Sequence, residues 1–485
     1  MATIDPQSLL VDLDEGQAQV ATSFGTPLAV LAGAGSGKTR AITHRIAYGI
    51  VSGEYEANSV LSLTFTTRAA GELRERLAYL GVPQVAARTF HSAALRQVRF
   101  FWPKVFHTDF PQVTPDRQGL ILEAVNRLAL NIPAAAVRDI ASEISWAKVS
   151  NVTPSEYEGL ARQHNRTVED LEPYWVGRVL GRYEQVKNER GVVDFDDILL
   201  CACALLAENS GVAQEVRSSY HHLVVDEYQD VNPLQHTLLR LWLGDEPDIC
   251  VVGDAAQTIH SFAGATSSYL TRFRKDYPDA QLLRLDRDYR SSPQIVELAN
   301  QVATRNQIGG GLRLHSAAPA GPQCQIVQRK DEEAEVDFIV DWLSKQRNPL
   351  TWDDMAVLFR THAAAEPVAA ALKAGNIPFR IRDLGAQVDV RSSDPDSIPK
   401  YQPSGVTLAT LHAAKGLEWE AVVLAGAQEG TLPHPLALTD EQVEEEARLF
   451  YVGVTRAKSR LLITWSSRRR DRSSTRARTR FLAGL

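Results

Sequence analysis

One stretch of this chain leaves little freedom for the fold around it: Ala32-Gly33-Ala34-Gly35-Ser36-Gly37-Lys38-Thr39, a glycine-rich loop ending in Gly-Lys-Thr. An apolar run from Leu28 to Leu31 precedes it, and Ile42, Ile46 and Ile50 follow at helical spacing. Strand, glycine loop and helix in that order make a phosphate cradle. The glycines let successive backbone N–H groups converge on one anion, and the helix start adds the positive end of its dipole. Ala34, Gly35, Ser36 and Gly37 form the cradle, Lys38 reaches the β- and γ-phosphates, and Thr39 offers a hydroxyl to Mg²⁺. The first motif position is Ala32 where glycine is usual, but the Gly-Lys-Thr ending carries the chemistry.

A second anchor is His222-Leu223-Val224-Val225-Asp226-Glu227, an apolar strand ending in adjacent carboxylates. Alone, such a pair reads as a turn or a helix cap. Downstream of a phosphate loop it reads differently, because ligands of a parallel α/β sheet sit at the carboxyl ends of its strands. Asp226 is then expected to hold Mg²⁺ through water, and Glu227 to polarise the attacking water.

The bulk properties bound the rest. A chain of 485 residues, 44% hydrophobic and 23% charged, is long enough for several domains. Its first residues are polar and acidic with no long apolar run, so no signal peptide or membrane anchor is expected and the protein is read as cytoplasmic. Cys201, Cys203, Cys250 and Cys324 are too irregularly spaced for a zinc site or a disulfide framework. The net charge of -7 bears on solubility and long-range encounter more than on the lining of a local groove. One local strip is basic: Arg468 to Arg480 holds seven arginines against Asp471, and reads either as a phosphate contact or as a solvated segment.

Further segments, in order, resemble the UvrD/Rep/PcrA helicases of helicase superfamily one, from Gln17 to Leu482. Leu13 to Gln17 resembles the adenine-reading segment, with Gln17 as the reader. Thr64 to Ala70 and Thr89 to Ser92 resemble two DNA-contacting segments, and Asp194 to Asp197 the acidic segment before the Walker B strand. Val252 to Gln257, Asp288 to Ser291, Thr410 to Glu418 and Leu449 to Ala457 complete the set. The resemblance implies ATP and Mg²⁺ as cofactors, hydrolysis coupled to 3'-to-5' movement on single-stranded DNA, and single-strand/duplex junctions as partners in repair or replication. It also implies roles. Lys38, Glu227, Gln257, Arg290 and Arg456 would be catalytic, with Gln257 sensing the γ-phosphate and the two arginines stabilising its charge. Arg40 and Tyr289 would sandwich the adenine, and Glu418 would join them at the nucleotide. Phe65, Thr66, His91, His260, Phe262, Arg360 and His412 would meet DNA, with rings on which bases stack. Phe65, which follows Leu63, has an equal reading as core.

The departures from the family matter too. Ala263 stands where a charged residue is usual, Asp288 where asparagine is, and Ala447 where arginine is. The expected fold is α/β, with two RecA-like parallel-sheet motor domains, a helical insertion in the first and a missing or vestigial one in the second. The first motor domain (1A) would take residues 1–93 and 193–285, the helical insertion (1B) 94–192, and the second motor domain (2A) 286–385 and 405–485. Where the family inserts a large mobile domain (2B), only 386–404 remains, rich in Asp, Ser and Pro and read as a linker. Two rival functions follow from these residues: a translocase that strips proteins from DNA without unwinding it, and an ATP-gated scaffold.

Overall fold

The computed structural model describes residues 4–245, 248–261, 264–382, 404–468 and 475–484. Short apolar runs build two separate sheets. In the first half these are β1 (Leu28–Ala32), β2 (Val60–Thr64), β3 (Ala86–Thr89), β4 (His222–Val225), β5 (Ile249–Gly253) and β6 (Gln281–Leu285). All pairings are parallel, in the order β3-β2-β4-β5-β1-β6. Every residue of β2 and β5 is buried, as expected of strands covered by helices on both faces. Successive side chains alternate between faces, so Ala29 enters one core while Leu28 and Val30 enter the other.

Parallel pairing has a functional consequence: every strand of this sheet ends at the same edge. The phosphate loop after β1, Phe65 and Thr66 after β2, Asp226 and Glu227 after β4, and Gln257 after β5 therefore gather there. Because β5 lies between β1 and β4, the Gln257 turn falls between the phosphate loop and the paired acids. The helix Lys38–Ser52 starts from Gly37 at φ 76 and stops at Gly53 at φ 85. Its buried Ala41, Ile42 and Ile46 pack against Val30, Val224 and Val252, each isoleucine contributing roughly 1.5–3 kcal/mol.

The second half repeats the architecture with β7 (Gln325–Arg329), β8 (Met355–Phe359), β9 (Phe379–Arg382), β10 (Val406–Thr410), β11 (Trp419–Leu424) and β12 (Ala457–Ser466). These are also all parallel, ordered β7-β12-β11-β8-β10-β9. β8, the helix Glu366–Ala374 and β9 form a strand-helix-strand unit within the second sheet. The α/β class with two parallel sheets and a helical insertion is thus as expected.

Between β3 and β4, the helices Arg117–Arg127, Ala134–Val149, Tyr157–Gln163 and Pro173–Arg190 close around their own core, including Leu120, Ile144, Trp146 and Tyr183. The preceding helix, Phe90–Phe106, packs elsewhere: Phe90, Ala94 and Val98 join Ile198 and Leu238 in the core of the first sheet. An insertion starting at residue 94 would cut this helix, whose apolar face fastens it to the sheet. The helical unit is tied back by buried charges. Lys148 Nζ donates to Asp194 at 2.6 Å and Asp197 at 2.7 Å, and Arg117 and Lys187 reach the same acidic segment. Removing one partner of such a buried set costs about 3–5 kcal/mol. The segment Asp194 to Asp197 is therefore a clamp between the helical unit and the sheet.

The expected linker at 386–404 lies, up to residue 403, outside the described residues, as do Phe262, Ala263 and residues 469–474 of the arginine strip. The chain leaves the second sheet after β9 and returns at the neighbouring strand, β10. No helix among the described residues is long and apolar enough to cross a membrane.

Candidate active site

The two sheets form two lobes that meet at a cleft of about 1030 Å³, lined by the phosphate loop, the acids after β4 and residues of the second lobe. In the loop, Gly35 and Gly37 have φ of 69° and 76°, a region open to glycine at little cost. Space also demands glycine: a Cβ on Gly35 would stand 2.1 Å from Asp288 of the second lobe, and one on Gly37 would stand 2.6 Å from Gln17 Nε2. Gln17 itself is the third residue of a helix capped by Asp14, and its side-chain amide donates to Ser36 O at 3.0 Å. It is thus held against the loop's underside.

Across from the loop, Thr39 Oγ1 donates to Asp226 Oδ2 at 3.3 Å, and Lys38 Nζ lies 3.8 Å from Glu227 Oε2. Burial and the neighbouring Glu227 charge raise the pKa of Asp226. Burial also acts upward on Glu227, but Lys38 and Lys415 outweigh it and hold that carboxyl low. Glu227 sits at φ 54, a left-handed conformation uncommon for a non-glycine residue. A buried carboxylate driven toward protonation beside a threonine hydroxyl is short of one cation, and its oxygen donors suit Mg²⁺.

The second lobe brings the opposite imbalance. Arg456 is buried, its Nη2 donating to Gln257 Oε1 at 3.2 Å and its Nε to Val452 O at 3.0 Å. Burial and the nearby Arg290 push Arg456 down to about 9. Arg290 pairs with Glu418, which also holds Lys458 at 2.9 Å. This side of the cleft is therefore short of an anion, and a triphosphate bound with Mg²⁺ fits both deficits. Tyr289 N donates to Gly35 O at 2.9 Å, and its hydroxyl donates to Asp14. Tyr289 is 44% exposed and lines the cleft together with Arg40, whose Nη2 donates to Asp12 O at 2.8 Å.

The residues expected to meet DNA divide. Phe65, Thr66, His260 and His412 line the same cleft, the two histidine rings 6.5 Å apart across the seam between lobes. Burial, with the neighbouring Lys415, pushes His260 down to about 3, while burial and Arg360 do the same to His412. Both rings are neutral near pH 7. Phe65 is half-buried against Phe90, at 6.1 Å, so it has a core contact and a cleft face at once. Thr66 caps the helix Thr67–Tyr79 by accepting from Ala69 N. His91 and Arg360 do not line this cleft. His91 stacks on Phe195 at 4.0 Å, and Arg360 holds Glu446 through three contacts of 2.7–3.0 Å. Phe262 lies outside the described residues.

Sequence reasoning assigned no site role to several residues that join the lobes. Lys415 Nζ donates to Asp230 and to Gln257 O at 2.6 Å, Arg448 Nε donates to Thr258 O at 2.8 Å, and Ser261 N donates to Glu445 at 3.0 Å. Gln229 accepts from Asp254 N and donates to Glu227, linking the turns after β4 and β5. Asp230 and Gln229 follow the acid pair within one turn, a proximity that was the available signal; Lys415 had none beyond its place in a matched segment.

Comparison with known proteins gives the following. The UvrD/REP helicase N-terminal domain matches residues 13–278, and the UvrD-like helicase C-terminal domain matches in two pieces, 283–388 and 381–468. The chain is 36% identical to the ATP-dependent DNA helicase UvrD2 of Mycobacterium tuberculosis, over all of this chain and 83% of that protein. It is 26% identical to the ATP-dependent DNA helicase PcrA of Leuconostoc citreum, over 94% of this chain and 82% of that one, and 30% identical to PcrA of Staphylococcus aureus, over 77% and 51%. The match to UvrD2 runs over 581 positions against 485 residues here, so that relative carries stretches this chain lacks.

Proposed function

Since the chain belongs to the UvrD/REP helicase family, we propose that it is an ATP-driven motor that moves 3'-to-5' along single-stranded DNA. The observation that carries this reading is the seam: Lys38, Thr39, Asp226 and Glu227 of one lobe face Arg290 and Arg456 of the other across a single cleft. Bound MgATP supplies the phosphoryl group and the divalent charge. Thr39 and Asp226 would hold the metal, Lys38 would leave Glu227 for the phosphates, and Glu227 would orient the attacking water. Arg290 and Arg456 would neutralise charge that develops on transfer, a positioning task that dominates phosphoryl transfer. Gln257 touches both Asp254 and Arg456, so it is placed to report the state of the phosphate side to the turn carrying His260. Domain 1A would comprise the first sheet with the helix Phe90–Phe106, domain 1B the helical unit, and domain 2A the second sheet. The segment between β9 and β10 would stand where relatives insert 2B.

That short segment favours a particular version of the function. Without 2B's duplex-facing surface, and with Ala263 in place of a charge, the motor should grip single strands but push weakly against a fork, where each base-pair step costs about 0.6–2.2 kcal/mol. Stripping proteins from DNA, or acting beside a repair or replication partner at single-strand/duplex junctions, would suit it. The test is ATPase, translocation and unwinding rates measured together on the purified chain. Single-stranded DNA should raise ATP turnover with little regard to base sequence, its affinity falling by about 0.7 log units per log unit of salt for each phosphate contacted. Translocation should outrun unwinding. Unwinding of a long duplex by a single chain at its translocation speed defeats the weak-unwinding reading, and ATP turnover indifferent to DNA defeats the motor.

A further inference from the structure

The turn that carries Arg290 touches both lobes. It leaves the short strand Arg287–Asp288, which pairs with His315–Ser316, and runs through Tyr289 and Arg290 to Ser292. On one side it is fastened to the start of β12: Ser291 Oγ donates to Ala457 O at 2.8 Å, and Ser292 N donates to Lys458 O at 2.8 Å. Arg456 immediately precedes those two residues, and Arg290 Nη1 donates to Thr455 O at 3.4 Å. Both cleft-lining arginines therefore stand on one unit. On its other side the turn meets the phosphate loop at Gly35 twice, through Tyr289 N and through the carboxylate of Asp288.

Asp288 joins the two sides. Its Oδ1 accepts from Arg290 N at 2.6 Å and from Ser291 N at 3.0 Å, and the same oxygen is the atom nearest to where a Cβ on Gly35 would stand. Asp288 is buried, so these contacts are shielded from solvent. A side chain that accepts from the N–H groups two and three residues on is an ordinary way to shape a turn. On a surface loop such a cap fixes only its own backbone. Here the capped residue is Arg290, and the capping oxygen rests on the phosphate loop, so the place of the arginine is referred to the place of the loop. We propose that Asp288 is a positioning residue for phosphoryl transfer, holding Arg290 in register with the phosphate loop across the seam. This rests on the reading of the seam as an ATP-hydrolysing site. Arg290 acts only where its guanidinium meets the charge that develops on the transferred group, and a displacement of about 1 Å can cost about 10²-fold in rate. The task asks for an acceptor oxygen rather than a charge, so an amide at this position should serve.

The test is a double-mutant cycle on the full chain, with kcat for ATP read on oligothymidylate and ATP affinity read by equilibrium titration. Asp288→Ala should lower kcat about 10²-fold while ATP affinity stays within about threefold of the parent, because the loop N–H groups and Lys38 remain. Asp288→Asn keeps an acceptor oxygen and should hold kcat within about threefold of the parent. In an Arg290→Ala background, Asp288→Ala should cost less than about threefold more, since a residue that acts through another is not additive with it. Should Asp288→Ala not fold at the assay temperature, Asp288→Val, which lacks the acceptor but fills the space, takes its place in the cycle. An unchanged kcat in Asp288→Ala, with the parent turning over ATP, defeats this proposal alone; a parent without ATP turnover defeats it together with the motor. Affinity lost in step with kcat would mean that Asp288 shapes the loop and not the arginine. Losses that multiply in the double variant would make its role structural, and a loss in Asp288→Asn equal to that in Asp288→Ala would make it one of charge. Each of these three results overturns the proposal.

Discussion

The two lobes share one architecture, six parallel strands between layers of helix, yet present different parts of it to the cleft. In the first lobe, site residues follow strand ends: the phosphate loop after β1, the acids after β4, Gln257 after β5. The second lobe places Glu418 and Arg456 just before β11 and β12, at the amino ends of those strands, and shows no phosphate loop among its described residues. The segment Leu411 to Glu418 runs from the end of β10 to the start of the parallel β11. It therefore crosses the length of the sheet, and it delivers His412 and Lys415 on the way. One lobe grips and the other answers. Each side holds an unbalanced charge, anion-poor at Arg456 and cation-poor at Asp226, so the proposed site needs both lobes.

That division can be broken experimentally, most sharply from the second lobe. Arg290→Ala removes a charge aimed across the seam, and steady-state ATP turnover with DNA should fall by about 10³-fold with the fold intact by circular dichroism. A fall below tenfold would mean the second lobe is a lid rather than a participant. On the first lobe, Glu227→Gln keeps size and hydrogen bonding but loses the charge that orients water, so turnover should drop about 10²-fold while ATP binding by equilibrium titration persists. Lys38→Ala should lose both.

The joint between lobes comes next. Lys415→Ala takes away the contact to Asp230 and Gln257 without touching the phosphate loop. Coupling between sites is commonly worth about 1–3 kcal/mol, so the stimulation of ATP turnover by single-stranded DNA should shrink about tenfold, with the DNA-free rate much less affected. Equal losses with and without DNA would place Lys415 in the chemistry rather than in the coupling. The smallest effect is expected at Tyr289→Ala. Base–ring stacking is worth about 1–3 kcal/mol, and a tyrosine 44% exposed should give the low end. The KM for ATP should rise about fivefold at constant kcat, and an unchanged KM would remove Tyr289 from the adenine site.

Much of the first lobe was legible in sequence because its signals are local. Leu28 to Thr39 encode strand, loop and helix within one continuous stretch, and parallel strands necessarily bring their ends to one edge. For the second lobe, only resemblance pointed to Arg290 and Arg456, since residues at strand starts carry no comparable pattern. Some residues resisted either approach. Phe65 was readable as core or as base contact, and its position shows why: one face meets Phe90 and the other the cleft. Arg360 and His91 were expected at DNA, and their engagement by Glu446 and Phe195 depends on elements distant in sequence.

By itself, then, the sequence determined the chemistry of phosphate binding and the strand, loop and helix that carry it, because hydrophobic period and glycine spacing act within a dozen residues, while two sheets were implied only by the family resemblance. Tertiary structure decided what depends on distant charges meeting. It made Asp194 to Asp197 a buried clamp for Arg117, Lys148 and Lys187, each of which comes from a different helix. It also made Lys415 a bridge to Asp230. Burial sets the strength and sign of such interactions, and burial is a property of the packed chain that no local stretch of residues contains.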